Sequence, residues 1–396
     1  MPLKLARRME NLGTETAFEV LAKARKLEAQ GKNIVHLEIG EPDFPTPPNI
    51  VEAAQKAIRD GFTHYTPAGG LMPARQAVAD WIRRTYEVDV QPEQVVMVPG
   101  SKNVLLFTIL ALIDEGTESI VPDPGYPIYE SLVTMAGGKA VPIALRERND
   151  FRLDVEELKG KITPRTRLIV INAPHNPTGG VLSHKDLEAI AELAQRHDLY
   201  VLSDEVYGQI TYDGLHPSIL TVPGMVDRTI YSDGLSKAYA MCGWRLGMGV
   251  MPVELARRMD TLMINTSSCA ASFTQLAAVE ALTSPLSDAS VDAMREEFRT
   301  RRDLLVDGLN RIPGVSCHRP AGAFYVFPNI SGTGCDEREL AHSLLHEAGV
   351  ALLPGTAFGA HGAGYLRLSY ANSVPNLERA LERIAGHLAA AEPAAS

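Results

Sequence analysis

Cysteine is scarce in this chain of 396 residues, with only Cys242, Cys269, Cys317 and Cys335. They lie far apart, with no C-x-x-C pair and no histidine pair beside them, so neither a disulfide framework nor a zinc site is indicated. That usage fits a reducing, cytoplasmic setting. Long hydrophobic runs are lacking too. The longest, Val104 to Ile113, is about half of what a bilayer crossing needs and reads as a buried helix. The amino terminus, Met1-Pro2-Leu3-Lys4-Leu5-Ala6-Arg7-Arg8, lacks the apolar core of a secretion signal. Basic excess is missing as well: 38 Lys plus Arg stand against 48 Asp plus Glu, a formal charge of −10. The densest basic cluster is only Arg299, Arg301 and Arg302, which argues against nucleic acid as a partner, and nothing points to a membrane. No internal repeat or low-complexity tract occurs apart from an alanine-rich tail, Ala389 to Ser396, expected to fray.

What is present is an ordinary globular composition, 45% hydrophobic and 22% charged, on a chain long enough for two or three domains with a sizeable core. Short, continuously apolar runs recur at Val95–Val98, Ser119–Val121, Leu168–Ile171, Tyr200–Ser203, Thr229–Ser232 and Leu246–Val250, as expected of strands covered on both faces. Helical patterns separate them, for example Ser183 to His197 with Ser183 and Asp186 placed to cap its start. This alternation predicts an α/β domain around a mostly parallel sheet, assigned to residues 46–290. The ends differ. An amphipathic helix over Thr16–Gln30 leads to the Gly/Pro passage Ile39 to Pro45. A long charged helix from Val291 to Leu309 bridges into the segments Val315–Cys317 and Phe324–Phe327, the helix Glu337–Ala348, a strand Tyr365–Tyr370 and a last helix. Residues 1–45 and 291–396 are therefore expected to form a smaller α+β domain.

In open α/β sheets, ligands bind beyond the carboxyl ends of the strands, and the unusual residues of this chain stand there. Gly100-Ser101-Lys102-Asn103 is a small-residue turn opening a helix, an anion site by its free N–H groups and dipole. Tyr126 sits between turn residues. Asn176-Pro177-Thr178-Gly179, Ser203-Asp204-Glu205-Val206-Tyr207 and Ser236-Lys237 follow later strands, the last with Gly243-Trp244-Arg245 close behind. Each has an ordinary reading beside the chemical one. Lys237 is a surface lysine or a nucleophilic amine, Arg245 a salt-bridge partner or an anion clamp, Asp204 a helix cap or a buried counter-charge, and Asn176 a turn residue before proline or a donor.

Taken together and in order, the motifs N-P-T-G, S-D-E-x-Y, S-K-x5-G-x-R and R-L-S-Y (Arg367 to Tyr370) resemble those of class I, fold-type I pyridoxal-phosphate aminotransferases, closest to the bacterial aspartate subgroup. The likeness runs from about Arg7 to the last helix. It implies pyridoxal 5'-phosphate as cofactor, with Lys237 its covalent anchor and proton shuttle, and Asp204 paired with the pyridinium nitrogen. Tyr207 and Asn176 would bond the phenolic oxygen, and Tyr126 would stack on the ring. Ser101, the amide of Lys102, Arg245 and Ser236 would hold the phosphate. Gly234 stands where many relatives carry a serine. Tyr65 would reach the neighbouring subunit's phosphate, which implies a homodimer with shared sites.

On the substrate side, the resemblance implies Arg367 and the backbone of Gly40 for the α-carboxylate, Tyr126 and Asn176 beside the substrate as well as the cofactor, and Lys102, Thr14 and Thr16 for a second carboxylate. The implied reaction is transamination between aspartate or glutamate and 2-oxoglutarate or oxaloacetate. Alternatives are a broader transaminase for alanine, aromatic or branched-chain donors, another reaction of the same cofactor such as β-elimination, and the ligand-sensing module of a transcription regulator. For Gly40 a plain turn glycine competes. Lys102 competes as a solvated lysine at a helix start, and the threonines as caps.

Overall fold

The structure is a computed structural model and describes residues 3–9 and 12–391. Seven strands pair into one sheet: β1 (Val95–Val98), β2 (Glu118–Asp123), β3 (Lys139–Ala144), β4 (Thr166–Asn172), β5 (Tyr200–Asp204), β6 (Thr229–Gly234) and β7 (Gly247–Val250). Their order is β1-β7-β6-β5-β4-β2-β3. Every neighbouring pair is parallel except those of β7, which runs against both β1 and β6. β1, β2, β6 and β7 are buried along their whole length, which is why β1 and β7 carry no polar side chain and do not alternate.

β3 has no counterpart among the predicted runs. It is a half-exposed edge strand interrupted by Pro142, and proline is tolerated only where no ladder donor is needed. The predicted cap at Ser183 is present. Its hydroxyl accepts from the Asp186 N–H while Asp186 reaches back to the Ser183 backbone, opening the helix His184–Arg196.

The long charged helix starts at Pro285, six positions before the expected Val291, and runs to Leu309. Proline suits a first helical turn, where its missing N–H would have had no partner. Val291 and Met294 pack with Trp81 and Tyr231, whereas Phe298, Leu305, Val306 and Leu309 pack with Tyr207, Phe324 and Leu368. One helix thus joins two hydrophobic clusters. The second cluster gathers both chain ends: Val35–His36 pairs with Val350–Ala351, and Leu366–Ser369 lies between Leu353–Pro354 and Tyr325–Val326.

Arg301 and Arg302, two of the three residues in the densest basic cluster, are buried. Arg301 is paired with Asp43 and Glu297, and Arg302 with Asp303, so they form no surface patch. Of the alanine-rich tail, 389–391 close the helix Val374–Ala391 and 392–396 lie outside the described residues.

Candidate active site

β1 hands the chain through Pro99-Gly100-Ser101 into the helix Lys102–Leu112. Gly100 has φ +81°, and a Cβ on it would come 2.2 Å from Arg245 Nη2. A Cβ on Gly247 would lie 2.2 Å from the Ser101 nitrogen. The two glycines let a guanidinium and a helix N-terminus approach one point, and the combination favours an anion. Arg245 is held there by donating to the Cys242 carbonyl at 2.8 Å. Gly243, by contrast, has open space around its missing side chain, so only one of the two flanking glycines is required by packing. Beneath the turn, Gly234 sits 3.3–3.4 Å from Leu246 and Ser101 atoms as measured from a notional Cβ. Buried Ser236 lines the same cavity.

β5 extends one residue beyond its predicted end, so Asp204 is part of the strand and not a helix cap. It is 5% exposed. Tyr129 donates to its Oδ2 at 2.6 Å, while Oδ1 is buried with no partner. Burial pushes the carboxyl up to about 6, against the opposing pull of the Tyr129 hydroxyl, the Val206 N–H and the Lys237 charge. Sequence reasoning missed Tyr129. Tyr129 lies in the first turn of the helix Ile128–Met135, three residues after Tyr126 in the preceding turn, and the two rings meet edge to face at 5.6 Å. Behind Asp204, buried Glu205 accepts from Ser203 at 2.7 Å and Ser218 at 2.8 Å, and burial pushes it up to about 8.

Lys237 stands in the short helix after β6. Its Nζ donates to the Gly40 carbonyl at 2.5 Å and lies 5.8 Å from the Tyr207 ring. Tyr207 and Tyr325 share a hydroxyl–hydroxyl bond of 2.7 Å, and burial pushes the Tyr207 phenol well above its ordinary range. A Cβ on Gly40 would be 1.9 Å from the Tyr325 oxygen. Gly40 is therefore a close-approach glycine, beyond the plain turn residue its sequence context allows. Tyr325 is a second residue sequence reading left unassigned.

Arg367 is 3% exposed on the strand Leu366–Ser369. Its Nη2 donates to the Glu38 carbonyl, its Nη1 lies 3.5 Å from Asn176 Oδ1, and its Nε has no partner. Its guanidinium lies 4.6 Å from the Tyr325 ring centre. Asn176 is itself fixed by its N–H donating to Asn172 Oδ1 at 2.9 Å. Burial lowers the pKa of Arg367, yet a guanidinium stays protonated. Such a buried cation, with no carboxylate paired to it among the described residues, calls for an anion.

These groups line one cavity of about 510 Å³, the size of a small-ligand or cofactor site. Ser101, Lys102, Tyr126, Asn176, Asp204 and Tyr207 all face it, as do Gly40, Thr16, Ser236, Lys237, Arg245 and Arg367. At its mouth Lys102 Nζ pairs with Glu15 Oε1, and the Tyr126 hydroxyl donates to the same oxygen at 2.8 Å. Two predicted residues are not brought in: Thr14 is exposed and does not line the cavity, and Tyr65 is 87% exposed and lies outside it.

A lysine, a bare buried carboxylate and an anion-binding turn at the carboxyl ends of a mostly parallel sheet define an α/β enzyme built around a cofactor. Residues 32–384 match the family model "Aminotransferase class I and II". An aromatic-amino-acid aminotransferase of Thermococcus litoralis is 42% identical over 90% of this chain and 92% of its own. An aspartate aminotransferase of Pyrococcus abyssi is 41% identical over 92% of this chain and 94% of its own. The solved structure of Thermus thermophilus aspartate aminotransferase with maleate superposes with a TM-score of 0.93 at 40% identity, covering 97% and 99% of the two chains. The chain belongs to the class I and II aminotransferases, with the fold-type I architecture and pyridoxal 5'-phosphate as cofactor. The unpartnered Asp204 Oδ1 and the glycine-lined cradle at Ser101 and Arg245 fit that cofactor's ring nitrogen and phosphate. No helix among the described residues is long and apolar enough to cross a membrane.

Proposed function

We propose that this aminotransferase exchanges the amino group of aspartate or glutamate with 2-oxoglutarate or oxaloacetate, as a cytoplasmic homodimer. The convergence on one cavity of Lys237, the bare Oδ1 of Asp204 and the bare Nε of Arg367 supports transamination, and the Lys102 ammonium at its mouth supports the choice of a dicarboxylic donor. The bound cofactor supplies an aldehyde that takes up the amino group and a ring that accepts electrons from the substrate α-carbon.

The residues do the rest. Arg367 and the Gly40 backbone orient the α-carboxylate, and a guanidinium does so by a two-point hydrogen bond. Lys237 anchors the cofactor and moves the α-proton at Nζ. Asp204 Oδ1 holds a proton on the ring nitrogen. Tyr207 and Asn176 would bond the cofactor's phenolic oxygen, and Tyr126 would cover its ring. Ser101, the Lys102 N–H, Ser236 and Arg245 would hold the phosphate, and Tyr65, 87% exposed in the single chain, would serve the phosphate of the partner subunit. Lys102 and Thr16 at the mouth meet the substrate's second carboxylate. Thr14, exposed and outside the cavity, takes no part in that contact.

The pairing of Lys102 with Glu15 favours a second reading, a transaminase that also takes alanine, aromatic or branched-chain donors. Two of the relatives, nearly equal in identity, are named for aromatic amino acids and for aspartate. The test is single-turnover absorption spectroscopy of the purified holoenzyme against a panel of amino acids. Aspartate and glutamate reacting fastest supports the first reading. Neutral donors matching them supports the second. No spectral change with any amino acid overturns both.

A further inference from the structure

Glu15 stands at the N-cap position of the helix Thr16–Glu28, yet its side chain caps nothing. It is drawn instead across the cavity mouth, where one carboxylate oxygen accepts from both Lys102 Nζ and the Tyr126 hydroxyl. The backbone around it is pinned. The Gly13 N–H donates to Ser131 Oγ at 3.0 Å, and Ala17 and Val20 pack against the core. The Glu15 side chain is 20% exposed and that of Lys102 47%, and ion pairs this open to water are weakly held. The side chain can therefore turn out to solvent while its backbone stays.

A transaminase admits two substrates in turn to one cavity. With Glu15 seated, the Lys102 charge is matched, and an uncharged substrate side chain meets no bare ammonium. A distal substrate carboxylate offers the same two donors the same group, and it repels Glu15, since two carboxylates cannot share the spot without penalty. We propose that Glu15 is an exchangeable internal counter-ion: seated on Lys102 and Tyr126 it completes the site for uncharged substrates, and displaced it yields both donors to a dicarboxylic one. The inference rests on the reading that Lys102 meets the substrate side chain.

The test compares wild type, Glu15→Gln, Glu15→Ala and Lys102→Met as holoenzymes. Each is measured for kcat/KM with aspartate and with leucine, and for equilibrium binding of the unreactive dicarboxylate maleate. Wild type should turn over both donors. Both Glu15 variants should raise the aspartate-to-leucine ratio about tenfold and tighten maleate, because the donors no longer have to be vacated, the scale of one charge-assisted contact. Lys102→Met should lower the ratio. An unchanged or lowered ratio in both Glu15 variants, with Lys102→Met still lowering it, overturns the counter-ion role and leaves the Lys102 reading standing. Lys102→Met leaving the ratio unmoved overturns both, and a wild type confined to one donor class overturns the exchange.

Discussion

Tyr129 donates its hydroxyl to one oxygen of Asp204, at 2.6 Å, and leaves the other oxygen bare toward the cavity. The bond favours the ionised carboxylate, the form needed opposite a protonated ring nitrogen. Tyr129→Phe removes it and lets burial raise the Asp204 pKa further. The amino-acid half-reaction is expected to slow about tenfold, since a hydrogen bond to a charged group contributes roughly 1.5–3 kcal/mol. The acidic limb of its pH profile should move upward. An unmoved limb would show that Tyr129 merely fills space.

Lys237→Ala is expected to abolish turnover with the fold retained, as read by circular dichroism and Tm. Lys237 donates to one backbone carbonyl and fills no core. Borohydride reduction of the wild-type holoenzyme should label the peptide carrying Lys237. A label on another lysine would refute its role as anchor.

Gly40→Ala brings a methyl into the position of the Tyr325 hydroxyl. Relief requires moving Tyr325, and with it the Tyr207–Tyr325 bond. Overpacking of this kind costs about 1–3 kcal/mol, visible as a lower Tm, and the rise in KM for every amino acid should exceed the change in cofactor affinity. Normal KM values would free Gly40 from any part in substrate binding.

Glu205 gives a pH signature. Its folded pKa, about 8, lies above the unfolded carboxyl value. The native state therefore holds a proton that the unfolded state gives up, and stability falls as pH rises from about 4.5 to about 8. One such group contributes a slope of about 1.4 kcal/mol per pH unit within that window. Glu205→Gln keeps acceptors for Ser203 and Ser218 and should flatten the decline, measured as denaturant midpoints of the cofactor-free protein at pH 5, 6, 7 and 8. An identical slope in the variant would mean that Glu205 is ionised when folded.

The sheet was legible where burial on both faces forces apolar runs, as at β1, β4 and β5, and illegible at β3, whose exposed edge and Pro142 leave no such run. Asp204, Lys237, Arg245 and Arg367 stand out because each is a polar residue set against a strand end or inside an apolar strand. Tyr129, Tyr325 and Glu15 carry no comparable mark. Their partners Asp204, Tyr207 and Lys102 lie 75, 118 and 87 positions away, so only the folded chain brings them together. Thr14 and Glu15 are adjacent in sequence, and the local backbone direction decided which of them reaches the cavity.

The interlock of Gly100 with Arg245 and of Gly247 with Ser101 ties the phosphate cradle to the β1–β7 pairing, which joins Val95–Val98 to a segment roughly 150 positions later in the chain. Such distant pairings close slowly, because a long loop must be ordered before any contact repays it. A nascent chain therefore has no grip on the anion until that seam is zipped. Phosphate binding at this cradle is expected to follow the pairing of that seam rather than to nucleate it. The cofactor acts afterwards as a latch, opposing unfolding in proportion to its free concentration, and starving cells of it should shorten the protein's lifetime without altering its synthesis.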